Sequence, residues 1–299
     1  MPDHADSELK LQNHWHVNDE HYVRRGENAA VDAALWKREL RQANRNRRGR
    51  PYVLPPAMLD SVRCLMVELG LSYRAAQGHL RRMLSTLGMK APDFTTIWKR
   101  LSKEQAEPVV QPREAIIAID STGFSTTLRG EWMRDRWHRH RGFVKAHVAV
   151  DVDTLEVVGV VTTDDTVGDN RVFASLLEQV LDRGIAVKRV LADGAYDTRD
   201  NFDMLRDRGI EAGIKMAKDA TRRSRGHCLA RPLAVLERKE LGQEEWERRY
   251  EYWKRWMVEY VISAVKRTLG DAVSSRRRDL MFCEVQNKFW TWNMMRRAD

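Results

Sequence analysis

The feature that most constrains the fold is an alternation of apolar, strand-like runs with helical patterns, which begins near Glu114. Short runs rich in Ile, Val and Ala are typical of buried strands, whereas apolar residues three and four positions apart are typical of amphipathic helices. The alternation predicts an α/β domain with a mixed sheet flanked by helices. The predicted strands are 115–119, 144–151, 156–162, 187–192 and 210–216, of which the second and third form a hairpin, and the predicted helices are 170–183, 198–208 and about 250–269.

The region before this domain has a helical pattern. Between residues 55 and 101, apolar positions at helical spacing, together with Pro55, Gly70 and Ser72 as start and stop signals, predict three short helices. The last helix carries Lys99 and Arg100, which suits a helix-turn-helix unit whose final helix enters the major groove of DNA. A small helical bundle with solubilising charges is the alternative.

Positive charge is both abundant and concentrated. The 299 residues contain 52 Lys and Arg against 43 Asp and Glu, which gives a formal net charge of +9. Between residues 37 and 50, seven basic residues, among them Arg47 and Arg48, stand against one acid. Nucleic acid is the expected partner of such a chain, with this run as a phosphate-contacting arm. A solvated helix face is the alternative.

These patterns divide the chain into four parts. We expect a basic arm and linker at 1–54, a helix-turn-helix-like region at 55–110, the α/β domain at 111–270 with an insertion at about 217–249, and a basic helical tail at 271–299. No apolar run approaches the roughly 20 residues of a membrane span, and no secretory signal is recognisable. The three cysteines are widely separated, which indicates a reducing, cytoplasmic compartment.

Two of the predicted strands each end in an aspartate, Asp120 and Asp193. Open α/β sheets place their sites at the carboxyl ends of strands, so the two carboxylates together form a candidate metal-binding pair. The alternative is that each aspartate only belongs to a turn, because Asp-Gly and Asp-Ser-Thr-Gly are also common turn sequences.

A third carboxylate lies on the last predicted helix of the domain. At about 100° per residue, four polar side chains share a narrow stripe opposite the apolar face of that helix; they are Tyr252, Arg255, Glu259 and Lys266. The stripe can lean over the sheet edge and bring Glu259 to the two aspartates, which completes the oxygen ligands of a two-metal site. An exposed amphipathic helix with an Arg255–Glu259 pair is the alternative.

The spacing of these four polar residues carries a resemblance to a known family. With two, three and six residues between them, they reproduce the Tyr-Arg-Glu-Lys signature of the DDE transposases of bacterial and archaeal insertion sequences. Segments 119–124 and 191–197, which contain the two aspartates, are similar to the aspartate motifs of that family, and 145–151 resembles its Lys-x-His strand. Many relatives have His-Asp where this chain has Gly168-Asp169, so that position is expected to be only a loop.

The resemblance implies an RNase H-like fold in which Asp120, Asp193 and Glu259 are catalytic and hold two Mg²⁺ ions, for which Mn²⁺ can substitute. It implies a DNA transposase that cleaves the ends of its element hydrolytically and joins them to target DNA by in-line attack at phosphorus. The expected partners are then the terminal inverted repeats and the target DNA, bound by a homodimer or higher assembly, with no membrane involved.

The resemblance also implies contacts with the bound DNA end. Arg255 and Lys266 are expected to contact its terminal phosphates, and Tyr252 is expected to pack against the DNA backbone or to form a hydrogen bond near it. Relatives can carry, in a segment before the glutamate helix, an aromatic residue that stacks on an extruded base, and Trp246 is the candidate in this chain. Core packing is the more common role of such a residue.

Two other functions remain open on the sequence. One is an RNase H-like nuclease that cuts DNA without strand transfer, and the other is a non-catalytic, DNA-binding descendant of a transposase. The second is disfavoured, because a chain without activity has no reason to keep three acids together with Arg255 and Lys266.

Overall fold

The structure is a computed structural model, and it describes residues 23, 32–103, 111–126, 143–216, 220–221 and 229–296. The chain forms two compact units: Met1–Pro108 with Trp290–Asp299, and Val109–Phe289. All three candidate carboxylates belong to the second unit. Of the predicted insertion, residues 217–219 and 222–228 lie outside the described residues.

In the described part of the first unit, residues 32–103 form four helices whose beginnings are set largely by capping residues. They are α1 Ala33–Asn44, α2 Pro56–Glu68, α3 Tyr73–Thr86 and α4 Phe94–Leu101. The side chains of Asp32, Ser72 and Asp93 accept hydrogen bonds from the backbone N–H three residues on, at 2.8, 3.3 and 2.8 Å, which satisfies a helix N-terminus in the preferred way. The three helices predicted between residues 55 and 101 are therefore confirmed.

A buried apolar cluster holds these helices together. Trp36 of α1 and Leu80 and Leu84 of α3 are at most 1% exposed, and they pack with Met58 of α2 and Ile97 of α4. Burial of this kind contributes roughly 1.5–3 kcal/mol for each large side chain. The basic run therefore begins on a helix whose apolar face packs in this core, and it continues past the end of that helix at Asn44.

The second unit is built on a five-stranded mixed sheet. Its strands are β1 Arg113–Ser125, β2 Phe143–Asp151, β3 Val157–Asp164, β4 Ile185–Ala192 and β5 Glu211–Ile214, in the order β3-β2-β1-β4-β5. β1 pairs antiparallel with β2 and parallel with β4, while β2–β3 is antiparallel and β4–β5 is parallel. The expected α/β class and RNase H-like mixed sheet are confirmed.

Helices cover this sheet and continue the chain beyond it. They are α5 Asp169–Asp182, α6 Arg199–Asp207, α7 Ala230–Leu241, α8 Gln243–Arg249, α9 Trp256–Leu269 and α10 Arg278–Arg296. α5 packs on β2, β3 and β4, and α9 packs on β1 and β2. α5 approaches β3 so closely that a Cβ at Gly159 would stand 3.0 Å from Leu176. A membrane-spanning helix is absent from the part of the chain that the structure describes.

Two predicted boundaries are wrong, and both bear on the site. β1 does not end at Asp120 but continues to Ser125, because residues 121–125 pair with β2. The last predicted helix does not include Tyr252, since a 3₁₀ turn spans Tyr252–Arg255 and α9 begins only after it. The break coincides with Glu251, whose φ of 49° lies in the left-handed region.

Candidate active site

The pairing of β1 with β4 places the two aspartates at the same edge of the sheet. Ile119 lies opposite Ala192 in the parallel register, and this is the last pair of the ladder. Asp120 and Asp193 follow these two residues directly, so they start from neighbouring backbone positions. Beyond Asp120, β1 continues through its pairing with β2, and its last residue, Ser125, also bridges to Ala272.

Asp120 is partly buried, with 22% of its side chain exposed. Its Oδ1 accepts a hydrogen bond from the N–H of Ser121 at 2.8 Å. Burial raises the pKa of Asp120; the Ser121 N–H and Arg255 lower it in part, and the negative charges of Asp193 and Glu259 raise it again. Asp193 and Glu259 therefore each lie near enough to Asp120 for their negative charges to repel that of Asp120.

Asp193 is held at the end of β4 by a short turn. The turn is the 3₁₀ segment Gly194–Tyr196, and Oδ1 of Asp193 accepts a hydrogen bond from the N–H of Ala195 at 2.9 Å. Tyr196 closes the turn; it is 1% exposed and packs on Phe173 of α5. The turn is thus anchored in the core, while the carboxylate of Asp193 remains half-buried at the sheet edge.

Arg255 connects Glu259 with Asp120. Its Nη1 lies 3.6 Å from Oδ2 of Asp120, and its Nη2 contacts Oε1 of Glu259. Glu259 is on the first turn of α9, and half of its side chain is exposed. Burial acts to lower the pKa of Arg255, but Tyr252, Glu259 and Asp120 raise it overall. One guanidinium therefore bridges a carboxylate of the sheet and a carboxylate of the helix.

Tyr252 points into the protein, so the prediction of one polar stripe on one helix is wrong. It is 8% exposed, its hydroxyl donates to the carbonyl oxygen of Ala192 at 3.2 Å, and its ring centroid lies 5.3 Å from that of Trp246. Burial raises the pKa of Tyr252 to about 12, so the phenol is neutral at physiological pH. Tyr252 ties the 3₁₀ turn to the end of β4, next to Asp193.

Lys266 lies about two helical turns beyond Glu259 on α9. Its Nζ donates to the carbonyl oxygen of Gly123 at 2.9 Å and lies 5.2 Å from the ring centroid of Phe124. Burial lowers the pKa of Lys266, and Asp271 offsets this in part. The ammonium is therefore held on the extension of β1.

Comparison with known proteins identifies the family to which this site belongs. Two family models, each described as a transposase DDE domain, match residues 111–294 and 23–129. The first match covers more than half of the chain and contains all three carboxylates. The chain belongs to the DDE transposase family.

Two solved structures resemble this chain in part. The Drosophila P element transposase strand transfer complex is 12% identical, with a TM-score of 0.35, and the match covers 61% of this chain and 46% of that chain. The simian T-cell lymphotropic virus intasome in complex with the PP2A regulatory subunit B56 gamma is 12% identical, with a TM-score of 0.28 and coverage of 74% and 72%. The chain thus spans less than half of the P element chain that it matches.

Divalent metal ions are general cofactors of this family, and the chemistry of the three carboxylates fits them. Carboxylate oxygens are preferred ligands of Mg²⁺, and a cation among them would relieve the repulsion that helps to raise the pKa of Asp120. As the side chains stand, no group of three or more His, Cys, Asp or Glu among the described residues is arranged to bind a metal ion. The guanidinium of Arg255 lies between Asp120 and Glu259 instead.

A network of ion pairs and hydrogen bonds that the sequence patterns did not indicate holds the 3₁₀ turn. Arg189 of β4 is 9% exposed; it donates to Glu211 of β5 at 2.6 Å and to the carbonyl oxygen of Tyr250 at 3.1 Å, and it lies 3.3 Å from Glu251. Lys254 adds an ion pair to Glu251 at 3.1 Å. The sequence did contain one signal of this network, an arginine inside the apolar run of a predicted strand. A buried charge needs partners, so such an arginine indicates an ion pair or hydrogen bonds.

Asp169 does more than occupy a loop. It is the first residue of α5, and its Oδ1 lies 2.8 Å from Nζ of Lys145 and 3.1 Å from Nδ1 of His147. Nε2 of His147 is 3.0 Å from the hydroxyl of Thr163. Burial lowers the pKa of His147 to about 4, with Asp169 raising it and Lys145 lowering it, so the imidazole is neutral at physiological pH. The cluster ties β2 to β3 and to α5.

Trp246 has no free ring face for a DNA base. It is 1% exposed, and the ring centroids of Tyr250 and Tyr252 lie 5.1 and 5.3 Å from its own. This burial contradicts the predicted stacking role, and core packing is what the structure shows. Two other tryptophans, Trp253 and Trp256, are 60% and 52% exposed. In the chain, one precedes Arg255 and the other follows it.

The remaining predicted DNA contacts lie in the first unit. Arg47, Arg48 and Lys99 are exposed, although the guanidinium of Arg47 lies 5.6 Å from the ring centroid of Tyr52. Arg100 turns toward its own unit: it donates to a backbone carbonyl at 3.4 Å and lies 4.8 Å from the ring centroid of Tyr52. Arg100 therefore packs within the helical unit, whereas Arg48 and Lys99 are surface charges.

Proposed function

We propose that this transposase mobilises an insertion sequence: it binds the ends of the element, cleaves strands there with water, and joins the cut strands to target DNA. The observation that carries the proposal is the grouping of Asp120 and Asp193, from adjacent strand ends, with Glu259, from the first turn of α9. Membership of the DDE transposase family supports it.

The three carboxylates are the proposed catalytic residues and metal ligands. Two divalent ions, Mg²⁺ or in its place Mn²⁺, would supply activation of the attacking oxygen and stabilisation of the departing 3′ oxygen when bound there. A backbone N–H fixes one oxygen of Asp120 and one of Asp193, which sets the orientation of both carboxylates. Fixed orientation is what in-line displacement at phosphorus requires.

Cations beside the carboxylates are the proposed contacts of the reacting DNA end. Lys266 lies on the same helix as Glu259, and Arg255 ends the 3₁₀ turn directly before that helix. Both cations are suited to backbone phosphates. Tyr252 acts by positioning the turn, since its hydroxyl is used on Ala192.

The proposed path of the DNA extends beyond the catalytic residues. In the first unit, exposed basic residues such as Arg48 and Lys99 are suited to further phosphates of the element end. In this proposal a homodimer or higher assembly brings two element ends together with the target DNA.

Strand cleavage on DNA that carries the inverted repeats flanking the gene tests the proposal. With Mg²⁺ present, Asp120→Asn, Asp193→Asn and Glu259→Gln should each lower cleavage by more than about 100-fold, since the loss of mere partners of metal ligands costs roughly 10–100-fold. DNA binding measured without metal should persist in all three variants.

Glu240→Gln is the matched control, because it removes an exposed carboxylate of α7 away from the site. It should cleave as the wild type does. Cleavage that persisted in all three variants of the carboxylates would overturn the assignment.

Joining of the cut strand distinguishes the proposal from its alternatives. The 3′-hydroxyl released by cleavage should be joined to target DNA in the same reaction. Cleavage without joining would indicate an RNase H-like nuclease, and DNA binding without either reaction would indicate a non-catalytic descendant of a transposase.

A further inference from the structure

Arg255 uses the carboxylate oxygens that a metal ion would need. Oδ1 of Asp120 is taken by the N–H of Ser121, and its other oxygen, Oδ2, faces Arg255 at 3.6 Å. On the helix side, Oε1 of Glu259 contacts the second terminal nitrogen of the same guanidinium. A metal ion held by Oδ2 of Asp120 and Oε1 of Glu259 would have to take the place of the guanidinium of Arg255 at these two oxygens.

The exclusion is electrostatic as well as spatial. A guanidinium is always charged in a protein, and only 21% of the Arg255 side chain is exposed, so solvent screens its attraction to both carboxylates only in part. A divalent ion that entered beside Arg255 would meet a positive charge. Once Arg255 moved away, Asp120 and Glu259 would lose their shared counter-ion and would attract a cation more strongly.

A DNA phosphate is the group that can draw Arg255 away from the carboxylates. Pairs between guanidinium and phosphate are charge-assisted and often bidentate. Arg255 ends the 3₁₀ turn directly before α9, and its side chain makes no capping bond to that helix. The proposed substrate brings a phosphate to the carboxylates, so the phosphate arrives where Arg255 can reach it.

We propose that Arg255 is an exchangeable counter-ion, which pairs with Asp120 and Glu259 in the DNA-free protein and passes to a DNA phosphate when divalent metal ions bind these carboxylates. This inference rests on the proposed function. Metal ions and DNA then bind cooperatively, and linkage makes the effect reciprocal: DNA tightens metal binding by the factor by which metal tightens DNA binding. The DNA-free protein thereby has a weakened metal centre until a DNA strand is in place.

Titration calorimetry with Mn²⁺ tests the exchange without measuring cleavage. In the absence of DNA, Arg255→Gln should bind Mn²⁺ at least about fivefold more tightly than the wild type, the lower end of ordinary coupling between sites. A short blunt duplex of generic sequence, added at low salt, should tighten Mn²⁺ binding to the wild type by a similar factor. The same duplex should change Mn²⁺ binding to Arg255→Gln far less.

Arg267→Gln is the matched control for net charge. Arg267 is an exposed arginine in the last turn of the same helix, α9, so its loss removes an equal charge without touching the carboxylates. It should bind Mn²⁺ as the wild type does. Arg255→Lys keeps the charge, so its Mn²⁺ affinity should lie nearer to that of the wild type than the affinity of Arg255→Gln does. This second variant also keeps the test valid if Arg255→Gln fails to fold.

Two results would overturn the exchange. One is equal Mn²⁺ affinity of Arg255→Gln and the wild type without DNA, and the other is equal tightening by DNA in both proteins. Asp120→Asn separates this failure from failure of the proposed function. If Asp120→Asn abolishes Mn²⁺ binding while Arg255→Gln has no effect, only the exchange is wrong, whereas Mn²⁺ binding that is indifferent to Asp120→Asn would overturn the proposed site as well.

Discussion

Among single residues, His147 shows how burial sets the charge of a side chain. Its imidazole is fully buried between Thr163 and the pair Asp169 and Lys145. Burial lowers the pKa of His147 to about 4, from the ordinary value of 6.5. Between these values the folded protein binds fewer protons than the unfolded chain, so stability that is present above pH 6.5 is lost as the pH falls toward the folded pKa.

His147→Gln should remove this acid-linked loss of stability. In the interval between the two pKa values, the free energy of unfolding of the wild type should fall by up to about 1.4 kcal/mol per pH unit more steeply than that of the variant. Urea unfolding at a series of pH values measures both slopes. His79→Gln, at an exposed position of α3, should keep the slope of the wild type, and a wild-type slope in His147→Gln would contradict the prediction.

Single residues also show where sequence patterns stop being informative. Asp120 and Asp193 could be chosen as candidates because an acid at the end of an apolar run is visible in the sequence. Trp246 and Trp253 could not be told apart, since their exposures of 1% and 60% depend on the 3₁₀ turn at Tyr252–Arg255, which the sequence patterns did not indicate. The pairing of Arg255 with Asp120 could not be foreseen for the same reason, as it joins a turn to a strand.

At the scale of elements, the break between α8 and α9 decides where the functional side chains lie. Glu251 adopts a left-handed φ of 49°, a conformation that costs a non-glycine residue roughly 1–2 kcal/mol. Arg189 stabilises the break, because it binds both Glu251 and the carbonyl oxygen of Tyr250 from a buried position on β4. In a continuous helix, Tyr252 would share a stripe with Glu259 and would not reach the end of β4.

Arg189→Met should therefore weaken both stability and cleavage. It leaves Glu211 and Glu251 without their shared partner, and we expect a loss of about 2 kcal/mol in unfolding free energy, less than for a fully buried pair because both glutamates are partly exposed. Cleavage should fall roughly tenfold or more, since a displacement of about 1 Å at a reacting group can cost 100-fold. Urea unfolding and the strand cleavage assay measure the two effects.

A neighbouring residue of the same strand provides the control for Arg189. Lys188→Met removes a positive charge from an exposed position of β4 and should change the unfolding free energy by less than about 0.5 kcal/mol. Arg189→Lys should restore part of the cleavage rate, because the ammonium can still bind Glu251. Equal losses in Lys188→Met and Arg189→Met would show that charge, rather than anchoring of the turn, matters.

The order of strands and helices could be predicted because periodicity and helix caps are local properties. Ser72 and Asp93 each cap a helix by accepting a hydrogen bond from the N–H three residues on, so the local sequence predicts where these helices begin. The extension of β1 beyond Asp120 could not be predicted, because it depends on pairing with β2. The 3₁₀ turn at Tyr252–Arg255 could not be predicted either, because the left-handed residue before it, Glu251, is held by Arg189, which is distant in the sequence.

For the whole molecule, the basic residues behind the net charge of +9 fall into two groups. Some are engaged within the protein, and others are exposed to solvent. Arg255 is paired with two carboxylates of its own unit, so in the DNA-free protein its charge adds little to long-range attraction. Arg48 and Lys99 are exposed on the first unit and are free to neutralise phosphates. Each phosphate contact releases counter-ions from duplex DNA and adds about 0.9 to the slope of log affinity against log salt.

Arg48→Ala combined with Lys99→Ala should therefore lower that slope by about 1.8 on duplex DNA of generic sequence. Lys188→Ala with Lys239→Ala removes the same charge from exposed positions of β4 and α7 and should change the slope by much less. Fluorescence anisotropy over a series of NaCl concentrations measures both. An unchanged slope in the first double variant, or an equal fall in the two, would place the phosphate contacts elsewhere and remove Arg48 and Lys99 from the DNA-binding surface.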